Sequence, residues 1–386
     1  MRKTRTIAAG SPETGTTSGF KSRLTTWWTS ADAEPANNNR STIADHGSVG
    51  RHIRSVQANI QAPDSYVPVQ DRLMAWWNGE LVQGKPGHWD PALQIEIDDD
   101  LSEEYENWTE ERVRVCAAVW GEGFIQPGTS TFVSAIMTGA KMDPRKTILD
   151  VSASMCGTAL MFVRDSGVWI DAIEPNPSLA RHARLHLASV PIGHQVKLEC
   201  KGLACLEISP NRYHVAYSRE ALYTVKPKLH VIEQVAKGLK QDGQFLVVDY
   251  VLTAGAEDSP LVAKWFRHEP EQLHPWTLER YEEVFRQHGL TILACEDFSS
   301  TMVDEIHNAW LRMLRNLQSG ETDRRDIDHI MREGLLWQSR LNALRSGDLR
   351  LLRIDVRKSP PKKRGERDKE ADRPVVIETH EDLIEL

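Results

Sequence analysis

The residues from Leu149 to Thr158 read LDVSASMCGT, which places an acidic side chain, small hydroxyl side chains and a thiol directly after a short apolar run. A strand followed by such a turn is typical of the opening of a nucleotide-binding fold, in which glycines let the loop backbone approach the ligand. In this chain residues 152–156 are serine, alanine, serine, methionine and cysteine, where glycines are expected. The stretch therefore predicts a nucleotide-binding fold and raises the question of whether a ligand is still bound.

Short β-branched runs alternate with amphipathic segments along the middle of the chain. The segment that ends near Gly238 carries apolar residues three and four apart, which form one face of a helix. This alternation predicts an α/β fold, a Rossmann-like doubly wound sheet of seven strands. A helical insertion separates the last two strands, so we expect a late edge hairpin that carries a helical lid. The strands are predicted at residues 147–151, 168–174, 196–200, 214–218, 244–250, 290–298 and 348–358.

Composition divides the chain into four parts. Residues 1–68 are rich in Ser, Thr, Asn, Ala and Gly and lack hydrophobic periodicity, which predicts a disordered N-terminal tail. Residues 69–140 are expected to form a helical N-terminal cap. Residues 141–357 are expected to form the Rossmann-like domain, with the lid at 300–346. Residues 358–386 carry blocks of charge and are predicted to form a disordered C-terminal tail.

Charge and cysteine content argue against several functions. The formal net charge of -8 and the pI near 6.0 give no overall basic surface, so no nucleic-acid partner is expected. The five cysteines lack metal-type spacing, and no metal site is predicted. No apolar run approaches the ~20 residues of a membrane span, and the basic N-terminus lacks the apolar core of a secretion signal. We therefore expect a soluble, cytoplasmic protein.

The order of these elements resembles that of class I S-adenosylmethionine-dependent methyltransferases over about residues 100–357. In that superfamily the first strand ends in an acidic residue and a glycine-rich loop, to which Asp150, Ser152, Ser154 and Gly157 correspond. The fifth strand, FLVVDYVL, and the segment WGEGFIQPG are similar to those of small-amine N-methyltransferases that act on phosphoethanolamine, glycine or sarcosine. The resemblance implies S-adenosylmethionine as the cofactor and a small-molecule or lipid-linked amine as the methyl acceptor.

The resemblance also implies roles for individual residues. Glu174 matches the acidic residue that ends the second strand, and its two oxygens suit two adjacent ribose hydroxyls. Trp120, in a cofactor-covering segment, and Ser218, after the fourth strand, complete the expected cofactor site. Leu203 stands where an acidic residue often contacts adenine, so that contact is missing. Cys156 fits least well, because its side chain is expected to meet the cofactor and to be strained if φ is positive.

His214 and Tyr223 are the predicted catalytic residues. An acceptor amine must lose a proton before it attacks, so a nearby base helps. His214 stands at the fourth strand in place of a superfamily acid, and Tyr223 follows that strand. A structural role is the alternative for a lone strand-end histidine. Similarly, Asp150 and Glu174 can act as helix caps, and Gly157 can simply allow close packing.

Tryptophan is the other unusual feature, and the motif Arg-Leu-x-x-Trp-Trp occurs twice, in Arg23–Ser30 and Arg72–Gly79. Two tryptophans in a polar tail are costly to expose, so the first copy is a candidate docking segment for the folded body or a protein partner. Coincidence is the alternative. Tryptophan faces also attract quaternary ammonium and sulfonium groups. Trp120 and Trp310 are the best candidates for that role.

The sequence leaves two functions open. One is an S-adenosylmethionine-dependent methyltransferase with an amine acceptor. The other is a pseudoenzyme, which keeps the fold but has lost the cofactor and serves as a protein-interaction or regulatory scaffold. A nucleic-acid methyltransferase is disfavoured, because the chain reads AYSREALY where a (D/N)PPY loop is expected to follow the fourth strand.

Overall fold

The computed structural model describes residues 77, 108–319, 326–360 and 377–379. The helices and strands reported below belong to one compact unit, Asp99–Leu386. The tail 1–68 with its Trp-Trp pair lies outside the described residues, and only Trp77 is described in the second copy of that motif. The strands are β1 Thr147–Asp150, β2 Trp169–Glu174, β3 Val196–Cys200, β4 Tyr213–Arg219, β5 Leu239–Leu252, β6 Leu290–Asp297, β7 Leu349–Lys358 and β8 Ile377–Thr379.

The strands form one mixed sheet in the order β3-β2-β1-β4-β5-β7-β6-β8. Strands β1 to β5 are parallel, and β7 lies antiparallel between β5 and β6. The order therefore reverses between β1 and β4, and the carboxyl ends of strands at such a point form the usual ligand crevice of doubly wound sheets. The predicted Rossmann-like sheet with its late edge hairpin is confirmed.

The centre of the sheet is almost wholly apolar. Val215 and Ala216 of β4 and Phe245 and Val247 of β5 are each at most 1% exposed. Parallel strands are covered by helices on both faces, so continuous apolar runs are expected there rather than alternation. This core fixes the carboxyl ends of the strands, where the site described below is built.

The helices have clear start signals. The hydroxyls of Thr109 and Thr129 accept the N–H groups of Arg112 and Phe132 and thereby cap the first two helices. The last two helices stand between β6 and β7, as expected for the lid. The helices are α1 Glu110–Trp120, α2 Ser130–Ile136, α3 Gly157–Ser166, α4 Pro177–Ser189, α5 Lys228–Gly238, α6 Pro260–His268, α7 Leu278–Gln287, α8 Ser299–Ser319 and α9 Ile327–Ser346.

An eighth strand extends the sheet beyond the seven that were predicted. β8 pairs in parallel with β6, with Cys295 opposite Ile377. It covers the outer side of β6, whose backbone groups otherwise form an open edge. β8 lies within the predicted disordered tail 358–386, so that prediction is wrong for residues 377–379. Residues 361–376 and 380–386 lie outside the described part of the chain.

Candidate functional site

A cavity lies at the carboxyl ends of the parallel strands, where the strand order reverses. Its walls are the loops after β1, β2 and β4, residues 125–126, residues 269–271 and the lid helix α9. Among the predicted site residues, Ser152, Ser154, Glu174 and Tyr223 line this cavity. The predicted loops after β1 and β2 therefore line this cavity, whereas several of the other predicted residues lie away from it.

The loop after β1 keeps the backbone conformations of a glycine loop without the glycines. Ser154 has φ 47° and Cys156 has φ 64°, both in the left-handed region. That region costs a non-glycine residue roughly 1–2 kcal/mol, so the predicted strain at Cys156 is present. The Cys156 thiol is buried and does not line the cavity. The predicted obstruction of the cofactor by this side chain is therefore not seen.

Glu174 ends β2 with its carboxylate in the cavity. Its Oε2 accepts the Ser154 N–H at 2.7 Å, and its Oε1 accepts the Asn176 N–H at 2.8 Å. Burial raises the pKa of Glu174 to about 8, and the neighbouring Glu271 carboxylate adds to this shift. A carboxylate has about four lone-pair sites, so each oxygen keeps one for a ligand hydroxyl. The side chain thus fixes the loop after β1 and still offers two acceptor atoms.

Asp150 is an interior residue and does not line the cavity. Its Oδ1 accepts the Ser152 N–H at 2.8 Å, and its Oδ2 accepts the Tyr217 hydroxyl at 2.7 Å. Burial raises the pKa of Asp150 to about 6, against the lowering effect of these bonds. The predicted cofactor contact of Asp150 is therefore replaced by a structural role, which joins the start of the loop to β4.

Ser152 and Ser218 also differ from each other in role. The Ser152 Oγ accepts the Arg219 N–H at 2.8 Å, so this cavity-lining residue also holds the end of β4. Ser218 is fully buried, does not line the cavity, and its hydroxyl makes no hydrogen bond within the described residues. The predicted cofactor contact of Ser218 is therefore not formed in this arrangement.

Arg219 was not predicted, yet it connects three parts of the site from a side chain that is 1% exposed. Its Nη1 donates to the Thr158 hydroxyl at 3.1 Å, and its Nη2 donates to the Pro127 carbonyl. The guanidinium also pairs with Glu220 at 3.0 Å. Arg219 thereby fastens the WGEGFIQPG segment to the first turn of α3 and to the cavity wall.

Gly157 has a packing role, which was the alternative interpretation. Its N–H donates to the Gly123 carbonyl at 3.0 Å. A Cβ at this position would stand 2.5 Å from that oxygen and 2.7 Å from the Phe124 ring. Gly157 does not line the cavity. The space beside Gly157 is thus occupied by residues 123–124, which lie directly against the first turn of α3.

Trp120 packs inside the helical layer and not on the cavity. Its ring lies 4.4 Å from that of Trp337 and makes an edge contact with Trp310 at 6.5 Å. Trp337 lines the cavity, whereas Trp120 and Trp310 do not. Both are buried, so neither presents a face to a cationic ligand there, contrary to the prediction. They join α1 to the two lid helices.

Tyr223 lines the cavity and is one of three aromatic rings that surround the Arg340 guanidinium. The Arg340 guanidinium lies 4.3 Å from the Trp337 ring, 4.9 Å from Tyr250 and 5.5 Å from Tyr223. Arg340 also donates to the Tyr223 hydroxyl at 3.1 Å and pairs with Glu269. We call this group the arginine cage. Burial raises the pKa of Tyr223 far above its usual range, so its hydroxyl is neutral.

His214 lies at the other end of β4 from the cavity. Its Nδ1 accepts the Thr147 N–H at 3.0 Å, and Lys240 Nζ lies 3.0 Å from its Nε2. Partial burial and Lys240 lower the pKa of His214. Glu220 directly follows β4 and is six positions further along the chain, roughly 20 Å away at 3.3 Å per residue. The structure therefore does not bring the predicted base to the other site residues.

The charged groups of the cavity were largely missed from the sequence. They come from α1, from the segment after α6 and from α9, which are distant along the chain. One signal was present: Glu333, Trp337 and Arg340 are four and three residues apart and so share one helix face. The charged residues that line the cavity are Arg112, Glu174, Glu220, Glu269, Glu271, Glu333 and Arg340.

Two searches of the described residues gave no site. No group of three or more His, Cys, Asp or Glu side chains in that part of the chain has the arrangement of a metal site. Among the helices that are described, none combines the length and the apolar character needed to cross a bilayer.

The sheet order and the late antiparallel strand are those of the class I S-adenosylmethionine-dependent methyltransferase fold, so the predicted resemblance is confirmed for the fold. Phosphoethanolamine N-methyltransferase 2 of Haemonchus contortus, solved with phosphomonomethylethanolamine and S-adenosylhomocysteine, superposes with a TM-score of 0.57 at 17% identity, over 66% of this chain and 59% of that one. A cyclopropane synthase of Mycobacterium tuberculosis gives 0.54 at 12% identity, over 65% and 94%. At these identities the likeness shows the fold alone.

Sequence relatives point to one branch of this class. The chain is 23% identical over 179 residues to phosphoethanolamine N-methyltransferase 3 of Arabidopsis thaliana, which covers 46% of this chain and 36% of the plant enzyme. It is 19% identical over 213 residues to phosphoethanolamine N-methyltransferase of Plasmodium falciparum, over 55% and 75% of the two chains. The match thus spans about a third of the plant enzyme. No family model matches the chain.

Proposed function

We propose that this chain binds S-adenosylmethionine in the cavity and transfers its methyl group to a small amine. One observation carries the proposal. The Glu174 carboxylate is held at the end of β2 by the Ser154 and Asn176 N–H groups, and each oxygen keeps a lone pair for a ribose hydroxyl. The left-handed conformations at Ser154 and Cys156, which are retained without glycine, support the same use of the loop.

The residues around Glu174 fit the nucleoside part of such a cofactor. The side chains of Val151, Leu179 and Leu203 line the same cavity and offer an apolar surface to a flat base. Carboxylates outnumber guanidinium groups among the described lining residues, which favours a positively charged ligand. When bound, the cofactor supplies an electrophilic methyl group on a positively charged sulfur. Positioning contributes most to this kind of transfer.

Glu271 is the group best placed to take the proton of the acceptor. It lines the cavity, and its Oε1 accepts the Trp108 indole N–H at 3.2 Å. Burial raises the pKa of Glu271, which makes the carboxylate a better base. The acceptor ammonium gives one proton to this carboxylate. With the cofactor held by Glu174, Glu271 would hold this proton while the freed nitrogen lone pair faces the methyl group that the cofactor would supply.

Calorimetric titration with S-adenosylmethionine and S-adenosylhomocysteine tests the proposal. We expect a dissociation constant below about 100 μM, or roughly -5.5 kcal/mol. Glu174→Gln should weaken binding up to about 10-fold, because the amide nitrogen cannot accept a hydrogen bond and one such bond contributes about 0.5–1.5 kcal/mol. Glu199→Gln is the matched control, since Glu199 is exposed on the neighbouring strand β3. Equal binding by the two variants would show that the ribose assignment of Glu174 is wrong.

The alternative is a scaffold that keeps the fold without catalysis, and one observation favours it. The arginine cage places the chain's own cation on the aromatic faces of Tyr223 and Trp337, where an acceptor ammonium would otherwise bind. No heat of binding at millimolar S-adenosylmethionine would support this alternative. Binding accompanied by release of S-adenosylhomocysteine in the presence of an amine would exclude it.

A further inference from the structure

The balance of charge in the cavity bears on the kind of acceptor it takes. Five carboxylates and two guanidinium groups line it, counted over the described residues. Arg219 adds a third guanidinium behind the wall, paired with Glu220. Two carboxylates, those of Glu174 and Glu271, make no ion pair with a lysine, arginine or histidine of the described chain. Because the pKa of Glu174 is about 8, Glu174 is largely protonated at neutral pH, and the excess of negative charge rests on Glu271.

Both arginines that line the cavity are already neutralised. Arg112 Nε donates to Glu333 Oε1 at 2.5 Å, and these side chains are only 4% and 6% exposed. The side chains of Arg340 and Glu269 pair at 5% exposure each. A phosphate that took either arginine would leave a carboxylate buried without its partner, which is strongly unfavourable. The built-in pairs therefore act against an anionic acceptor.

The aromatic rings of Trp108 and Trp337 also favour a cationic acceptor over an anionic one. The Arg112 guanidinium lies 3.8 Å from the centre of the Trp108 ring, and Arg340 lies over Trp337. The Glu271 carboxylate accepts the Trp108 indole N–H and makes no direct ion pair within the described residues, although Arg112 and Arg340 lie near enough to lower its pKa. Burial of an unpaired carboxylate is costly, and a ligand cation relieves that cost.

We propose that the acceptor is an amine that carries net positive charge and no phosphate, and that Glu271 binds its ammonium group. This inference rests on the proposed function and makes it narrower. It sets this chain apart from the phosphoethanolamine N-methyltransferases to which it is similar, because the described residues of this cavity offer the phosphate of their named substrate no unpaired arginine.

Binding of choline and phosphocholine tests the inference, because the two probes share a quaternary ammonium and differ only in the phosphate. Each is titrated calorimetrically into the full chain, with and without saturating S-adenosylhomocysteine, and inorganic phosphate serves as a third probe. We expect choline to bind at least tenfold more tightly than phosphocholine. Glu271→Gln should weaken choline binding at least fivefold, and Glu279→Gln, an exposed change on α7, should not.

A second variant tests the pairing directly. Glu269→Gln keeps the shape of the side chain and removes the charge that neutralises Arg340, so phosphocholine binding should tighten relative to choline. Tighter binding of phosphocholine or inorganic phosphate than of choline by the unaltered chain overturns the inference. So does the absence of choline binding up to about 10 mM, or -2.7 kcal/mol. The S-adenosylhomocysteine titration judges the proposed function separately.

Discussion

The Glu174 carboxylate accepts the backbone N–H of Ser154 at 2.7 Å, which joins the end of β2 to the loop after β1. The loop and the acidic anchor are thus one hydrogen-bonded unit. Residue 154 contributes only its backbone N–H to this bond, so the bond does not depend on whether residue 154 is serine or glycine. It explains how a loop without its glycines keeps its course beside the cavity.

Replacement of Ser154 by glycine should stabilise the fold. Ser154 has φ 47°, where glycine carries no penalty, so Ser154→Gly should raise the free energy of unfolding by about 0.5–1 kcal/mol. The N–H bond to Glu174 is unchanged by the substitution. Ala153→Gly is the control in the same loop, because Ala153 has no positive φ; it should destabilise the fold. Urea unfolding measures both, and destabilisation by Ser154→Gly would contradict the strain argument.

Loss of Arg219 should be among the most damaging changes in the described chain. Arg219→Met leaves Glu220 buried with a side chain 1% exposed, which costs about 3–5 kcal/mol. The double variant with Glu220→Gln should recover at least half of this loss, as the unpaired charge is then removed. The control Arg145→Met breaks a pair whose arginine is 88% exposed and should leave stability almost unchanged. A thermal or urea melt of all three variants decides the matter.

Stability should fall as the pH rises from about 5 to 8. The pKa of Glu174 is about 8 in the folded chain against 4.5 ordinarily, so the folded state holds this proton when the unfolded state has lost it. Stability from that proton is therefore present below pH 4.5 and lost as the pH rises through 8. The difference of 3.5 between the two values corresponds to at most about 5 kcal/mol.

Glu174→Gln isolates this contribution, because the amide does not titrate. Its unfolding free energy should change less than that of the unaltered chain between pH 6 and 8. Asp150→Asn should instead flatten the profile between about pH 4 and 6, since the pKa of Asp150 is raised to about 6. Parallel profiles for the unaltered chain and Glu174→Gln would show that Glu174 is ionised in the folded protein at neutral pH.

Gly157→Ala should destabilise the protein through crowding. The new methyl group would stand 2.5 Å from the Gly123 carbonyl oxygen, so the backbone must move, at about 1–3 kcal/mol. Phe124→Ala in the same chain should not rescue it, because the oxygen remains in place. Gly202→Ala is the control: its φ is -60° and no atom lies within 4 Å of its added Cβ. Equal unfolding free energies for the two alanine variants would contradict the packing role of Gly157.

The sequence was sufficient for the sheet and for the position of the anchor, because both depend on local pattern. Strand periodicity located β1 to β7, and the resemblance to the methyltransferase superfamily identified Glu174 at the end of β2. The sequence did not show in which direction the side chains of the loop after β1 point. Nothing in LDVSASMCGT shows that Asp150 turns to the Tyr217 hydroxyl or that the Cys156 thiol avoids the cavity.

The sequence also did not predict which residues from distant segments pair with each other. His214 lies near the start of β4 and Glu220 directly follows its end, but only the folded sheet shows which of the two reaches the cavity. The pair of Arg112 and Glu333 joins residues 221 positions apart, and no spacing rule connects them. Within the described chain, the charge of the cavity therefore follows from the fold and not from any motif.

Chemical labelling of Cys156 can report how often the loop after β1 opens. Alkylating reagents attack the thiolate, and burial raises the pKa of Cys156 far above neutrality. Cys205 is exposed by comparison. Labelling of Cys156 therefore requires that the loop leave the Glu174 carboxylate, and its rate measures how often that happens. Any molecule that bridges loop and anchor should slow the labelling of Cys156 while that of Cys205 proceeds as before.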